Sequence, residues 1–177
     1  MNYLDWLKTI PPEIQEDPLW NQEACRLALF AADLGWHDTT KLFRDGRTKK
    51  LAAQLYSAVG SVGANISEGY SRGYQKDRAR FYEYSFGSAR ESRTWYFDGR
   101  PVLGELVAKH RIQLFTQMIR LLLKMVPITR GYVLHDAENS DSLVAADELV
   151  LEPTGELQAL LESVPMPDPE SRNTEYA

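Results

Sequence analysis

One stripe of side chains constrains this chain more than any other feature. Leu51, Leu55, Val59 (or Ala58), Val62, Ile66 and Tyr70 recur at steps of three and four, the spacing of a single helix face. The pattern predicts a helix over roughly residues 48–72. Inside it lie Gly60, Ser61, Gly63 and Ala64. An interior glycine costs about 1 kcal/mol relative to alanine, so two within four residues need a compensation. Close approach of a neighbouring helix backbone is one; a break in the helix is the competing reading.

The same period continues on both sides. Asp17 is an N-cap candidate with Pro18 at the first helical position. Leu19, Glu23, Arg26, Leu27, Phe30, Ala31 and Leu34 then give a helix that either ends at Gly35 or runs on through Trp36 to about Phe43, before the Asp45-Gly46 turn. Gly69 and Gly73 mark a helix end. The next helix is expected over about 75–98, carrying Phe81, Tyr84, Ser85, Ser88, Ala89, Ser92, Trp95 and Tyr96, with Gly99-Arg100-Pro101 stopping or kinking it. The last covers roughly 102–126 with Leu106, His110, Leu114, Met118, Leu121 and Met125 on one face, and Pro127 ending it. No strand alternation competes. About 25 helical residues span ~38 Å, and three long helices plus a shorter first one with brief connections favour an all-α, antiparallel up-down four-helix bundle over residues 18–130. Residues 1–17 read as a lead ended by Pro11-Pro12.

Charge divides the chain. Between Lys41 and Arg130 there are 17 basic and 7 acidic residues; from His135 to Ala177 there is one basic residue against 11 acidic. A basic binding surface with an acidic appendage follows. The tail, 131–177, carries four prolines and two apolar patches, one from Leu143-Val144 to Leu151 and one of Leu157, Leu160, Leu161 and Val164. Those patches are candidates to dock on the body or on a partner; the last dozen residues read as disordered. Aromatics are plentiful, so a core is within reach. The single cysteine, Cys25, lies in an apolar stretch and reads as a small buried hydrophobe. No signal-like start and no apolar run long enough for a membrane span are present, and the expected setting is cytoplasmic.

Catalytic signatures are missing. No HExxH, GxSxG, P-loop or GxGxxG occurs. Glu105 and His110 are five apart, which rules out the Glu-x-x-His pairs of di-metal bundles. No metal, no cofactor and no enzymatic activity are expected. His110 reads as a hydrogen-bonded core or groove histidine.

Asn65-Ile66-x-Glu68-Gly69 with Arg72, followed by Phe81, Tyr84 and Gly87-Ser88-x-x-Glu91, is the most informative pattern. With Leu19-Trp20, it resembles the small bacterial four-helix-bundle proteins first noted in intervening sequences of 23S ribosomal RNA genes. That family includes the accessory variability protein of diversity-generating retroelements. The resemblance covers about residues 18–130. It implies a bundle that assembles into a barrel-like homopentamer and, for the retroelement members, binding to nucleic acid and to a reverse transcriptase.

Independently of any family, Asn65, Glu68 and Arg72 share a helix face, and Ser85, Ser88 and Ser92 make a small polar face near Glu91. Asn65, Glu68, Ser88 and Glu91 therefore read as a structural polar network between the two helices. The candidate nucleic-acid-binding residues are Lys41, Arg44, Arg47, Lys49 and Lys50 in one group, Arg72, Lys76, Arg78 and Arg80 in a second, and Arg90 and Arg93 midway along the third long helix. Repeated around an oligomer they attract phosphates in a salt-dependent way, and Tyr70, Tyr74 and Tyr82 add stacking. The leading reading is a non-catalytic oligomeric adaptor for RNA or DNA and for a nucleic-acid enzyme. The alternative is a protein-only scaffold whose acidic tail docks a partner or folds across the basic face.

Overall fold

A computed structural model describes residues 2–131 and 155–168. Two short helices, α1 (Tyr3–Leu7) and α2 (Pro12–Gln15), precede a 3-10 turn at Pro18–Asn21. Four long helices follow: α3 (Glu23–Arg44), α4 (Lys49–Tyr70), α5 (Gln75–Leu103) and α6 (Glu105–Thr129). A short α7 (Gly155–Glu162) completes the described elements. Consecutive long helices pack side by side, and α3 also meets α6, which closes the bundle. Among the described residues all regular structure is helical.

The α4 stripe behaves as its spacing requires: Leu55, Val59, Val62 and Ile66 are fully buried, facing Leu27, Phe30 and Leu34 of α3 in one core. The helix runs unbroken through Gly60 and Gly63. Gly63 lies 3.5 Å, by its virtual Cβ, from the Ala28 methyl, whereas Gly60 faces open space. The tight approach is at Gly69, where a Cβ would sit 2.9 Å from the Tyr82 ring of α5. On α5 the buried line is Tyr82, Ser85, Ala89, Ser92, Tyr96 and Gly99, so Tyr84 of the expected face lies outward. On α6, Leu114, Met118, Leu121 and Met125 are buried, while Leu106 is 78% exposed.

Several helix ends differ from the sequence expectation, each for a local reason. Asp17 does cap with its side chain, accepting from the Leu19 amide at 2.8 Å, but it caps the 3-10 turn. Gln22 is extended, with ψ 118°, and α3 starts only after it. α5 runs through Pro101 to Leu103 instead of stopping at Gly99. Proline cannot donate to the carbonyl four residues back; here the Arg100 guanidinium donates to the Phe97 carbonyl at 2.7 Å in its place. The chain then reverses at Gly104, whose φ of +91° suits glycine. Pro127 falls within the last turn of α6 and does not end it.

The described segments on either side of the four long helices pack on the bundle. Trp6 of α1 is buried, donates to the Asp33 carboxylate at 2.5 Å and packs against Tyr3, Trp20 and Phe30. α7 lies antiparallel on α6 with Leu157 buried and Leu161 and Val164 half-buried against the core. The apolar patch at 143–151 and the residues from 169 onward lie outside the described residues. No described helix is long and apolar enough to cross a membrane.

Candidate functional site

The up-down topology sorts the basic residues to the two ends of the bundle. Arg44, Arg47, Lys49 and Lys50 are exposed at the α3–α4 turn. Lys41, one turn earlier, is mostly buried. Arg47 grips Asp45 through its Nε and Nη2 at 3.0 and 2.7 Å, which holds that carboxyl down to about 2. Arg100 belongs to the same end, because Gly99 beside it faces Leu42 and Leu51; the sequence reading passed over it. Arg72, Lys76, Arg78 and Arg80 surround the α4–α5 turn. The 22 residues of α4 separate the two groups, about 33 Å at 1.5 Å per residue, so the structure forms two cationic ends and not one patch.

Arginines and aromatic rings pair repeatedly at this surface. Arg72 lies over Phe81 at 4.7 Å, Arg78 over Tyr70 at 5.6 Å, Arg80 over Tyr84 at 5.5 Å, Arg90 over Phe86 at 4.1 Å and Arg100 over Phe97 at 3.8 Å. A ring beside a guanidinium attracts it and limits the freedom of the arginine. Arg80 is fixed further by donating to the Tyr84 hydroxyl at 2.6 Å. Tyr74 is 79% exposed in the α4–α5 turn, and Tyr70 is half-buried there. Tyr82, by contrast, is fully buried and bonded to Gln22, so it offers no ring to a strand. Arg93 points at α6, where it donates to Thr116 at 3.4 Å.

The expected polar network takes another form. Asn65 donates to the Ser61 carbonyl, Glu68 pairs with Arg72, Ser88 donates to the Tyr84 carbonyl, and Glu91 accepts from the Trp95 indole. Each bond is local in sequence, three of them within one helix and Glu68–Arg72 across the end of α4, because these side chains lie on the flanks of α4 and α5. Two polar contacts among the described residues do cross between these helices: the Ser85 hydroxyl donates to the Val62 carbonyl at 2.9 Å in the buried core, and Arg78 donates to the Tyr70 carbonyl at 3.4 Å near the turn.

The strongest electrostatic feature lies elsewhere and escaped the sequence reading. Asp38 of α3 and Arg111 of α6 form an ion pair with both side chains wholly buried. Arg111 donates Nε to Asp38 Oδ2 at 2.8 Å and Nη2 to Oδ1 at 3.2 Å, and the Tyr96 hydroxyl donates to Oδ2 at 2.9 Å. Burial pushes the Asp38 carboxyl up, and the guanidinium pulls it back. Arg111 also donates Nη1 to His110 Nδ1 at 2.9 Å and Nη2 to the Pro165 carbonyl at 2.9 Å. Since arginine only donates, His110 Nδ1 is the acceptor. Its Nε2–H therefore donates to the Leu160 carbonyl at 2.8 Å, near the end of α7. Burial lowers the imidazole to about 4, and Arg111 beside it acts in the same sense. His110 is thus the neutral, bonded groove histidine that its position on the α6 face predicts. Glu156 at the start of α7 accepts from Gln117 at 3.1 Å and Arg120 at 3.0 Å. Cys25 is buried, its thiol raised to about 11, and inert. Among the described residues no group of acidic, histidine and cysteine side chains could hold a metal ion.

Residues 22–126, the four long helices almost to the end of α6, match the family model of the 23S rRNA-intervening sequence protein. The chain belongs to this family. The match spans well over half of the chain and contains both basic ends, the Arg–aromatic pairs and the Asp38–Arg111 pair. α1 and the strap of α7 lie outside it. No curated protein and no solved structure matches the chain.

Proposed function

We propose that this member of the family is a non-catalytic adaptor that binds nucleic acid through its cationic ends. The observation that carries the reading is the set of four arginine–aromatic pairs at the two ends, Arg72–Phe81, Arg78–Tyr70, Arg80–Tyr84 and Arg100–Phe97, together with the exposed Lys49, Lys50 and Lys76. Such surfaces suit a flexible single strand: cations follow the backbone and rings accept bases without reading sequence. The family's printed name, which places its members in 23S rRNA intervening sequences, supports RNA as the ligand. In this reading the bundle works as a homo-oligomer, a pentamer by the resemblance of its helix motifs, and it partners a reverse transcriptase. An exposed ridge of Trp36, Phe43 and Tyr56, with Trp36 and Tyr56 packed edge to face at 6.1 Å, supports a contact between copies.

Fluorescence anisotropy with a labelled single-stranded RNA tests this. Affinity should fall about tenfold or more between 50 and 200 mM salt, as for a protein neutralising several phosphates. Lys49→Glu/Lys50→Glu should weaken binding with the fold intact. Salt-independent binding, or none at low salt, refutes the reading.

The scaffold alternative places the acidic tail on a partner or across the basic face. Its described part, 155–168, lies on α6, where Glu156 accepts from Arg120.

A further inference from the structure

The two cationic ends are alike in charge and differ in their rings. The α3–α4 turn, Asp45-Gly46-Arg47-Thr48, holds no aromatic residue, and its arginine is gripped by Asp45. The rings nearest to it are engaged already. Phe97 lies under Arg100 at 3.8 Å, and Phe43 belongs to the ridge assigned above to a contact between copies.

The α4–α5 turn is built differently. Tyr74 stands in it 79% exposed, the most exposed aromatic residue among the described ones. A methyl group built on neighbouring Gly73 would meet nothing within 4 Å, so the space beside the turn is open. The backbone that presents the ring is fixed on both sides. The Tyr74 carbonyl accepts the amides of Asp77 and Arg78 at 3.1 and 3.0 Å. Arg78, lying over the Tyr70 ring, donates Nη2 towards the carbonyls of Tyr70 and Arg72, both at 3.4 Å. A ring on a fixed backbone loses little freedom when a flat partner covers it. Beyond the turn, cations and rings follow one another along the first turns of α5. Arg72 lies over Phe81 at 4.7 Å, Phe81 meets Tyr84 edge to face at 5.8 Å, and Arg80 lies over Tyr84 at 5.5 Å. Of the acids here, Glu68 is paired with Arg72 and Glu83 with Arg130 of the α6 end, so neither opposes a phosphate at full charge.

A nucleobase stacks on a ring only through its face. Inside a duplex both faces of each base are covered by its neighbours, so an exposed ring is useful only to an unpaired base. Cations attract the phosphates of either form. We infer that the α4–α5 end is the base-selecting end: Tyr74 stacks an unpaired nucleobase of a single strand, and the row from Arg72 to Arg80 takes the adjoining phosphates. The α3–α4 end supplies charge alone. This inference rests on the adaptor reading and adds to it that one end distinguishes unpaired from paired nucleic acid.

Fluorescence anisotropy of the full-length chain tests it with two labelled probes, an oligoadenylate and an abasic strand of the same length, which keeps the phosphates and lacks the bases. Tyr74→Ala should weaken the oligoadenylate about five- to a hundredfold, the range for taking one ring from one base, and leave the abasic strand unchanged. Tyr74→Phe should hold both probes as wild type does, because stacking needs no hydroxyl. Lys49→Glu/Lys50→Glu should weaken both probes by the same factor. Tyr74→Ala that spares the oligoadenylate or weakens both probes equally overturns the inference and leaves the adaptor reading standing. So does a Tyr74→Phe chain as weak as Tyr74→Ala, or an unequal effect of the lysine changes on the two probes. A wild-type chain that binds neither probe at low salt overturns both.

Discussion

Arg111→Met is the most informative single substitution in the bundle. Methionine keeps most of the volume of the arginine stem but removes both bonds to Asp38, and with them those to His110 and the Pro165 carbonyl, leaving a carboxylate between α3 and α6 with only the Tyr96 hydroxyl. Both side chains are wholly buried, so water cannot replace the guanidinium without opening the helix interface. Removing one partner of such a pair costs about 3–5 kcal/mol. For a chain of this length that is a fall in melting temperature of roughly 6–20 °C. The double variant Asp38→Leu/Arg111→Met removes the stranded charge, and should recover at least about half of the loss. Urea denaturation followed by circular dichroism gives all three free energies, including Asp38→Leu alone. A cost below about 1 kcal/mol for Arg111→Met, in the range of exposed pairs, would refute the claim that this pair is dry. A strictly additive double variant would refute the coupling.

Stability should also depend on pH through His110. An unfolded histidine titrates near 6.5 and the folded one at about 4. Between these values the unfolded chain binds more protons, so this contribution is present above about pH 6.5 and is lost as pH falls towards 4, by up to about 3 kcal/mol. Urea midpoints from pH 7 to 4.5 should follow that slope, and His110→Gln should flatten it. The glycines of α4 separate in a different experiment. Gly69→Ala meets the Tyr82 ring at 2.9 Å and should cost about 1–3 kcal/mol. Gly60→Ala enters open space on a regular helix and should stabilise by about 0.5–1 kcal/mol. Opposite shifts in melting temperature would establish the assignment, and equal shifts would contradict it.

Sequence alone determined the helices and their approximate faces. Steps of three and four in α4 and α6 can bury their apolar side chains only as helix stripes, and short connections leave neighbouring helices antiparallel. Pattern also placed the cationic residues near the turns, because those residues lie beside the breaks in periodicity. Helix ends were less legible: Arg100 compensates for Pro101 through a side-chain bond that no local rule anticipates. Glu68 and Asn65 share a face, but whether that face meets a neighbour depends on how α4 is rotated in the bundle, and the structure turns it outward. Asp38 and Arg111 stand 73 residues apart on helices that are distant in sequence. Only the closure of α3 against α6 brings an isolated acid and an isolated base to 2.8 Å in a dry interior, and the same closure aims His110 and Arg111 at the carbonyls of the strap. Periodicity reports what one helix wants to bury; it carries no information about which distant charge will be buried opposite.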